Sequence, residues 1–478
     1  MQRPVHVDEA NFLRLAEGAR IDAWRPHHIA INWQGTEQTA FDVLSNPPGI
    51  AWWLGLFPAS TPVWMLHLWM LPWLLLALWG FHRLGSSLAG EGTLATLLLG
   101  TSPVVVLSAQ SLTPDMPLLA CAVAGIGGFL GNRRTAVFFA ALAGCAVLFR
   151  YSGVCLIPLL LLLGWQRGRF QAALGVLVPI VLLVIHDLAA YGELHLFSMV
   201  GFQSVSDAPR DYFRKAVASL AMLGGAGLLP FFARGMPGLT GALVGGALGV
   251  AAGSLSGQDG GALVSTTAFS AAGGACLSTL RLRNHEDRFL FCWAIGGLVF
   301  LLALRFTASR YWLPFLPAIA LAALRTRPPK SGLLATILFG GLLSLGLSID
   351  DQAMAKGHQL AAEAVSSRGT GSFSGHWGWQ HHLEKAGWQA LEEDTTPQGL
   401  YAVAEAPWPQ EPHPDACLKQ LTKWTVSDTW WGPRVHSPTG KANFHAYIIS
   451  ARPPIETYSP WTFHNEPYDT ITLWESCR

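Results

Sequence analysis

Between residues 61 and 349, apolar runs alternate with short polar turns. The runs lie at 62–82, 92–110, 115–131, 135–149, 151–165, 170–190, 216–233, 237–255, 262–280, 289–305, 311–324 and 331–349. Runs of this length and polarity read as membrane helices, a full span taking about 20 apolar residues. Several are shorter than that. The stretch 135–163 is the least regular. As one helix it would be about 43 Å long, too long for an upright span and short for two. Arg150 breaks it in the middle, so two short helices are expected with Arg150-Tyr151 at the bend.

The flanks differ. Residues 1–60 are polar and aromatic, with an amphipathic helix expected over Ala10–Ala19. Residues 350–478 return to soluble composition. There Gly399–Ala404, His445–Ile449 and Thr470–Trp474 read as strands, and Leu360–Ser367 and His381–Ala390 as helices. The predicted architecture is an all-α polytopic membrane protein of about 12 transmembrane helices with a small C-terminal α/β layer. Its parts are residues 1–60, 61–349 and 350–478.

Basic residues set the orientation. If residues 1–60 lie outside and every run crosses, the inner turns hold Arg83, Arg133 and Arg134, Arg167 and Arg169, Arg234, Arg281 to Arg288, and Arg325 to Lys330. All six carry Lys or Arg, as the positive-inside rule asks. The C-terminal part then returns to the extracytoplasmic side of a cell membrane. Composition agrees: of 478 residues, 51% are apolar and 13% charged, against about 25% charged in soluble domains. A net charge of +1 argues against a nucleic-acid partner. Five cysteines lie in apolar runs, while Cys417 and Cys477 lie in the outer part, where an oxidising compartment would let them pair. No Gly-rich phosphate loop follows a strand, so no nucleotide-binding domain is evident.

Charges on the outer side break the bias and suggest a site. Asp8 and Glu9 follow His6 just ahead of the amphipathic helix. Asn46-Pro47-Pro48-Gly49 leads into the first run, and Thr113-Pro114-Asp115 stands at the outer end of a helix. Arg150-Tyr151 occupies the outer bend, and Arg310-Tyr311-Trp312 opens a Pro-rich turn. Asp207–Lys215 is an outer segment of alternating charge. Each has a plainer reading as well. Asp8 and Asp115 suit helix starts, Arg150 and Arg310 suit interfacial anchors, and the nine Trp between 377 and 474 suit a core as well as a sugar-stacking surface.

In order and spacing these fragments, with Trp377-Gly378-Trp379-Gln380 near the C-terminus, resemble GT-C glycosyltransferases of the protein-mannosyltransferase and aminoarabinose-transferase type. The resemblance implies a multi-span enzyme that takes a sugar from a polyprenyl-phosphate carrier and passes it, with inversion, to a lipid, glycan or protein acceptor outside the membrane. It places Asp8 at the centre of the site, with Glu9 and Asp115 as further catalytic acids. A carboxylate can take the acceptor proton. The departing phosphate needs cations, and Arg150 and Arg310 are the candidates. Tyr151, Tyr311, Trp312, Asn46 and His6 are candidates for holding donor or acceptor. No cofactor is implied with certainty, but Asp8, Glu9 and Asp115 could hold a divalent cation through oxygen. Members of this group begin with a membrane helix ahead of the acidic loop. Only seven residues precede Asp8, so either the start is truncated or the loop is held without that anchor. Two other functions fit twelve spans: a transporter, and an inactive relative acting as an assembly subunit. Transporters place charges near the midplane, whereas here they cluster at outer ends.

Overall fold

The structure, a computed structural model, describes residues 3–33, 35–204, 211–304, 307–407, 409–438, 441–445 and 458–477. Four of its helices are long and apolar enough to cross a membrane: Val63–Leu88, Phe170–Tyr191, Gly235–Leu255 and Lys330–Ser366. Only 22–39% of their most apolar stretches is buried within the protein. Large apolar side chains such as Leu75, Leu182, Leu243 and Leu342 stand exposed instead. Water would not tolerate such continuous apolar surface, and a bilayer would.

Several predicted runs prove to be broken. The run 92–110 is two helices, Gly92–Gly100 and Pro103–Ala109, bent by 70°. Pro103 causes the break, since its ring and missing N–H suit a helix start but not an interior. The run 135–163 parts at Arg150, whose extended backbone separates Ala136–Gly144 and its 3-10 extension from the turn leading into Leu156–Gln166. Two short helices with a bend at Arg150 are what the sequence suggests. The run 216–233 holds a helix Tyr212–Met222, a wider turn Leu223–Gly227 and a short 3-10 turn at Pro230–Phe232.

At the centre lies Asp115–Phe129, all of whose residues are buried. It places Asp115 at one end of the bundle and the basic turns at the other. There Arg169 Nη1 donates to the carbonyls of Phe129 and Gly131 at 2.9 and 3.0 Å. Arg167 pairs with Glu286 at 3.1 Å, and Arg325 Nε donates to Asp287 at 2.6 Å. Four of the turns expected on the inner side thus gather at one end of the bundle.

The last membrane helix does not stop at residue 349. It runs from Lys330 to Ser366 without a break, and the predicted helix Leu360–Ser367 is its final two turns. Its extension is locked into the C-terminal layer by Asp350, which accepts from Val435 N at 2.7 Å and faces Arg434 at 3.3 Å. That layer holds a five-stranded mixed sheet. In spatial order its strands are Gln389–Ala390, Gly371–Ser374, Leu400–Ala404, Asp469–Ser476 and Leu418–Val426. The first three are parallel, and Asp469–Ser476 runs antiparallel to both its neighbours. Two of the three expected strands are therefore present. Of the third, His445–Ile449, residues 446–449 lie outside the described residues, as does 207–210 of the charged outer segment. The helix expected over His381–Ala390 is displaced to Trp377–Lys385. Gly387, at φ 85°, supplies the left-handed residue that ends it, and Gln389–Ala390 turns into the sheet. Cys417 and Cys477 form a disulfide at the ends of the neighbouring strands Leu418–Val426 and Asp469–Ser476, with a Cα separation of 5.2 Å.

The tryptophans of this layer mostly serve the core. Trp377, Trp379 and Trp388 are buried. The Trp379 and Trp388 indoles donate to the carbonyls of Ser374 and Gly369. Trp431 is the large exposed exception.

Candidate active site

Asp8 occupies the N-cap position of the helix Glu9–Ile21, yet its side chain makes no capping bond. It turns to Arg310 and forms an ion pair with the guanidinium. The plain capping role is therefore replaced by a long-range contact. Glu9, the first residue of the helix, folds back on the preceding loop. Its Oε2 accepts from His6 N at 3.0 Å while Glu9 N donates to His6 O at 3.1 Å. Its Oε1 accepts from Leu112 N at 3.1 Å and lies 3.3 Å from Arg3 Nη1. Glu9 is 1% exposed with both oxygens engaged. These contacts tie Glu9 to the backbone on both sides of the loop.

Just before Asp8 the backbone is strained. Val7 has φ 47°, a costly value for a β-branched residue and one that persists only where surroundings enforce it. One enforcing contact comes from the C-terminal layer. A Cβ on Gly378 would stand 2.1 Å from the Val5 carbonyl oxygen, so the helix Trp377–Lys385 lies backbone to backbone on Val5-His6. The glycine of Trp377-Gly378-Trp379-Gln380 thus explains how that motif bears on Asp8.

Asp115 opens the buried central helix after Pro114, where the helix dipole favours a carboxylate. Its Oδ1 pairs with Arg150, and its Oδ2 is buried without a hydrogen-bond partner among the described residues. Arg150 in turn lies over the Tyr311 ring, 4.7 Å from its centroid, and Arg310 stands 5.9 Å from the same centroid. Both Asp8 and Asp115 exert Coulombic attraction on Arg310. Five of the sequence's candidates, Asp8, Asp115, Arg150, Arg310 and Tyr311, therefore form one cluster: two acid–base pairs around a phenol ring. Neither arginine is a free interfacial anchor. The Pro-Pro-Gly turn supports this cluster from behind, because a Cβ on Gly49 would stand 2.3 Å from the Leu148 carbonyl, two residues before Arg150.

The remaining candidates lie elsewhere. Tyr151 faces away from Arg150's partner, its hydroxyl 2.7 Å from His195 Nδ1 in a group with His27, Phe41 and Tyr191. Asn46 is tied to that group through its carbonyl, which lies 2.8 Å from His27 Nε2. Trp312 is completely buried and donates to Ser219 O, so it is a core residue rather than a stacking platform. His6 faces Asp351 at 3.2 Å. Burial pushes its pKa down to about 4, with Asp351 opposing.

Two residues at the site escape a motif reading. Arg3 bridges Glu9 and Asp351. Asp350-Asp351 is an acidic pair at the outer end of the last apolar run, the same signal that singles out Asp8-Glu9. A small cavity joins these groups, lined by Arg3, His6, Glu9, Thr113, Arg310 and His445 among others.

No family model and no curated protein matches the chain. Among solved structures it is similar to ArnT from Cupriavidus metallidurans in the apo state, with 17% identity and a TM-score of 0.43. It is also similar to the same protein bound to undecaprenyl phosphate, with 18% identity and a TM-score of 0.44. Each match covers 77% of this chain. The chain spans about two thirds of that protein's length, 66% and 68% in the two structures.

Proposed function

We propose that this chain is a membrane-embedded glycosyltransferase that moves a sugar from a polyprenyl-phosphate carrier to an extracytoplasmic acceptor, with inversion. The observation that carries the reading is the cluster of Asp8, Asp115, Arg150 and Arg310 around Tyr311, opposite the end where the basic turns gather. The sequence resemblance supplies the reaction class.

In this reading Asp8 is the base. Its Oδ2 is held by Arg310, and its Oδ1 has no partner among the described residues. The acceptor hydroxyl gives its proton to Asp8 as its oxygen bonds to the anomeric carbon. The bond from that carbon to the carrier phosphate breaks, and polyprenyl phosphate leaves as an anion. Arg150 and Arg310 meet the charge that develops on the phosphate; the planar guanidinium suits its oxygens. Asp115 keeps Arg150 aimed at that point, and its unpartnered Oδ2 is available to a sugar hydroxyl. Glu9 and Tyr311 position the acid and the arginines. The twelve runs then cross the membrane in the order given above, with the C-terminal layer capping the outer mouth.

The test uses the full chain in lipid. It should transfer labelled sugar from polyprenyl-phosphate donors to an added envelope-lipid or peptide acceptor fraction. Movement of a solute across the bilayer with no transfer from any such donor would contradict the proposal. A cysteine placed at Trp431, 82% exposed, should react with an impermeant reagent only from the outside of cells or right-side-out vesicles. Labelling only from the cytoplasmic side would overturn the orientation.

A further inference from the structure

His6, Asp351 and His445 come from three distant parts of the chain: the N-terminal segment, the long helix Lys330–Ser366, and the segment following Ala442–Asn443. Asp351 Oδ1 lies 3.2 Å from His6 Nε2 and 2.6 Å from His445 Nε2. One potential ligand atom from each residue falls within 4.8 Å of the others. The two rings stand edge to face, their centroids 5.4 Å apart.

Two further observations point to a bound cation. His6 is 1% exposed, and its Nδ1 has no hydrogen-bond partner among the described residues. Its Nε2 faces the Asp351 carboxylate at 3.2 Å. A buried imidazole left in this state is costly unless something else occupies its lone pair. The second observation is charge. Arg3 Nη1 lies 3.3 Å from Glu9 Oε1, and Arg3 Nη2 lies 2.7 Å from Asp351 Oδ2. Both carboxylates are 1% exposed. One guanidinium serves two buried carboxylates, so a further cation bound in this group would be compensated.

We propose that His6, Asp351 and His445 bind one divalent transition-metal ion of the zinc class. Two imidazole nitrogens and one carboxylate oxygen suit that ion, and the spacing of the donors lets it sit among them with minor adjustment. Arg3 holds Asp351 Oδ2 and leaves Oδ1 as the ligand, the usual arrangement of a carboxylate supported from its outer side. Three protein ligands leave a fourth position, and the small cavity beside His6 and His445 has room for a water oxygen there. The ion would be a clasp. His6 stands two residues before Asp8, so metal at His6 fastens the N-terminal segment to both the long helix and the C-terminal layer. His6, Asp351 and His445 are positioning residues in this account, and the site does not depend on the reaction proposed for Asp8.

The experiment is metal binding by the purified full-length protein in detergent. After stripping with a chelator, zinc is titrated against a chromophoric competitor, and metal content is measured after dialysis. The wild type should take up one equivalent per chain and His445→Gln none. Arg3→Gln should bind about 10–100-fold more weakly. His445→Cys keeps a ligand, so its cobalt form should gain a thiolate-to-cobalt charge-transfer band that the wild type lacks. This variant decides the matter even if His445→Gln fails to fold. Wild type taking up no more zinc than His445→Gln, or a folded His445→Cys protein binding cobalt without that band, would overturn the site.

Discussion

Asp8 and Arg310 are 302 residues apart in the chain and form an ion pair. Asp8 stands at the start of the helix Glu9–Ile21, and Arg310 in the turn just before the buried helix Leu316–Arg325. The side chains are 22% and 15% exposed. A pair at this depth is more than a surface contact, because removing one partner leaves a poorly solvated charge behind. It also fixes the acid's direction, with Oδ2 turned to Arg310.

Arg150 should matter more to the donor than to the acceptor. It is paired to Asp115 and lies over Tyr311. Arg150→Ala should raise the KM for the polyprenyl-phosphate sugar at least tenfold and leave the acceptor KM within about twofold. An interaction of roughly 1.4 kcal/mol corresponds to the tenfold change. Arg150→Lys should restore little, since an ammonium lacks the planar fork that serves carboxylate and phosphate together. Steady-state kinetics with each substrate varied in turn checks this.

Gly378 should tolerate no side chain. A methyl there meets the Val5 carbonyl at 2.1 Å and His6 Cα at 3.4 Å. Gly378→Ala should lower stability by about 1–3 kcal/mol, the range for overpacking a close contact. It should also lower turnover, because the displaced segment carries Asp8. A thermal unfolding midpoint and kcat equal to those of the wild type would show that the contact yields freely.

Acid should weaken the C-terminal layer through His376. This residue is 6% exposed, its ring packed 4.7 Å from Trp33. Burial lowers its pKa to about 4, only partly opposed by Gln380. In the unfolded chain it titrates near 6.5. Between those values the unfolded state binds a proton that the folded state does not, so stability falls as pH falls. The contribution is fully present above about pH 6.5 and is lost as pH drops toward 4, with a slope of up to about 1.4 kcal/mol per pH unit. Unfolding midpoints at several pH values should show a shallower acid limb in His376→Gln than in wild type.

The sequence and the structure part company in an instructive way. The break at Arg150, the gathering of basic turns and the convergence of Asp8, Asp115, Arg150 and Arg310 were legible because charge in an apolar chain is costly and its position is informative. Tyr151 and Trp312 were not legible. Each adjoins an arginine in sequence, but a turn sends neighbouring side chains to different sides, and one joins His195 while the other enters the core. Glu9 and Asp8 are adjacent acids that look alike in sequence, and only the structure shows that Glu9 accepts from the backbone N–H groups of His6 and Leu112 while Asp8 pairs with Arg310. The run 92–110 hid its 70° bend because hydropathy averages over Pro103. The long helix through residue 349 hid behind a change of composition, since its outer turns face a protein layer rather than lipid.

The central claim is that Asp8 takes the acceptor proton. It is tested most directly by single-turnover sugar transfer with Asp8→Asn, in protein whose unfolding midpoint and membrane insertion match the wild type. Asparagine keeps the size of the side chain and an oxygen for Arg310 but cannot accept the proton. The account predicts transfer slowed by about 10²–10⁴-fold, the usual worth of a positioned base, with donor binding retained. Transfer at or near the wild-type rate in Asp8→Asn would contradict it.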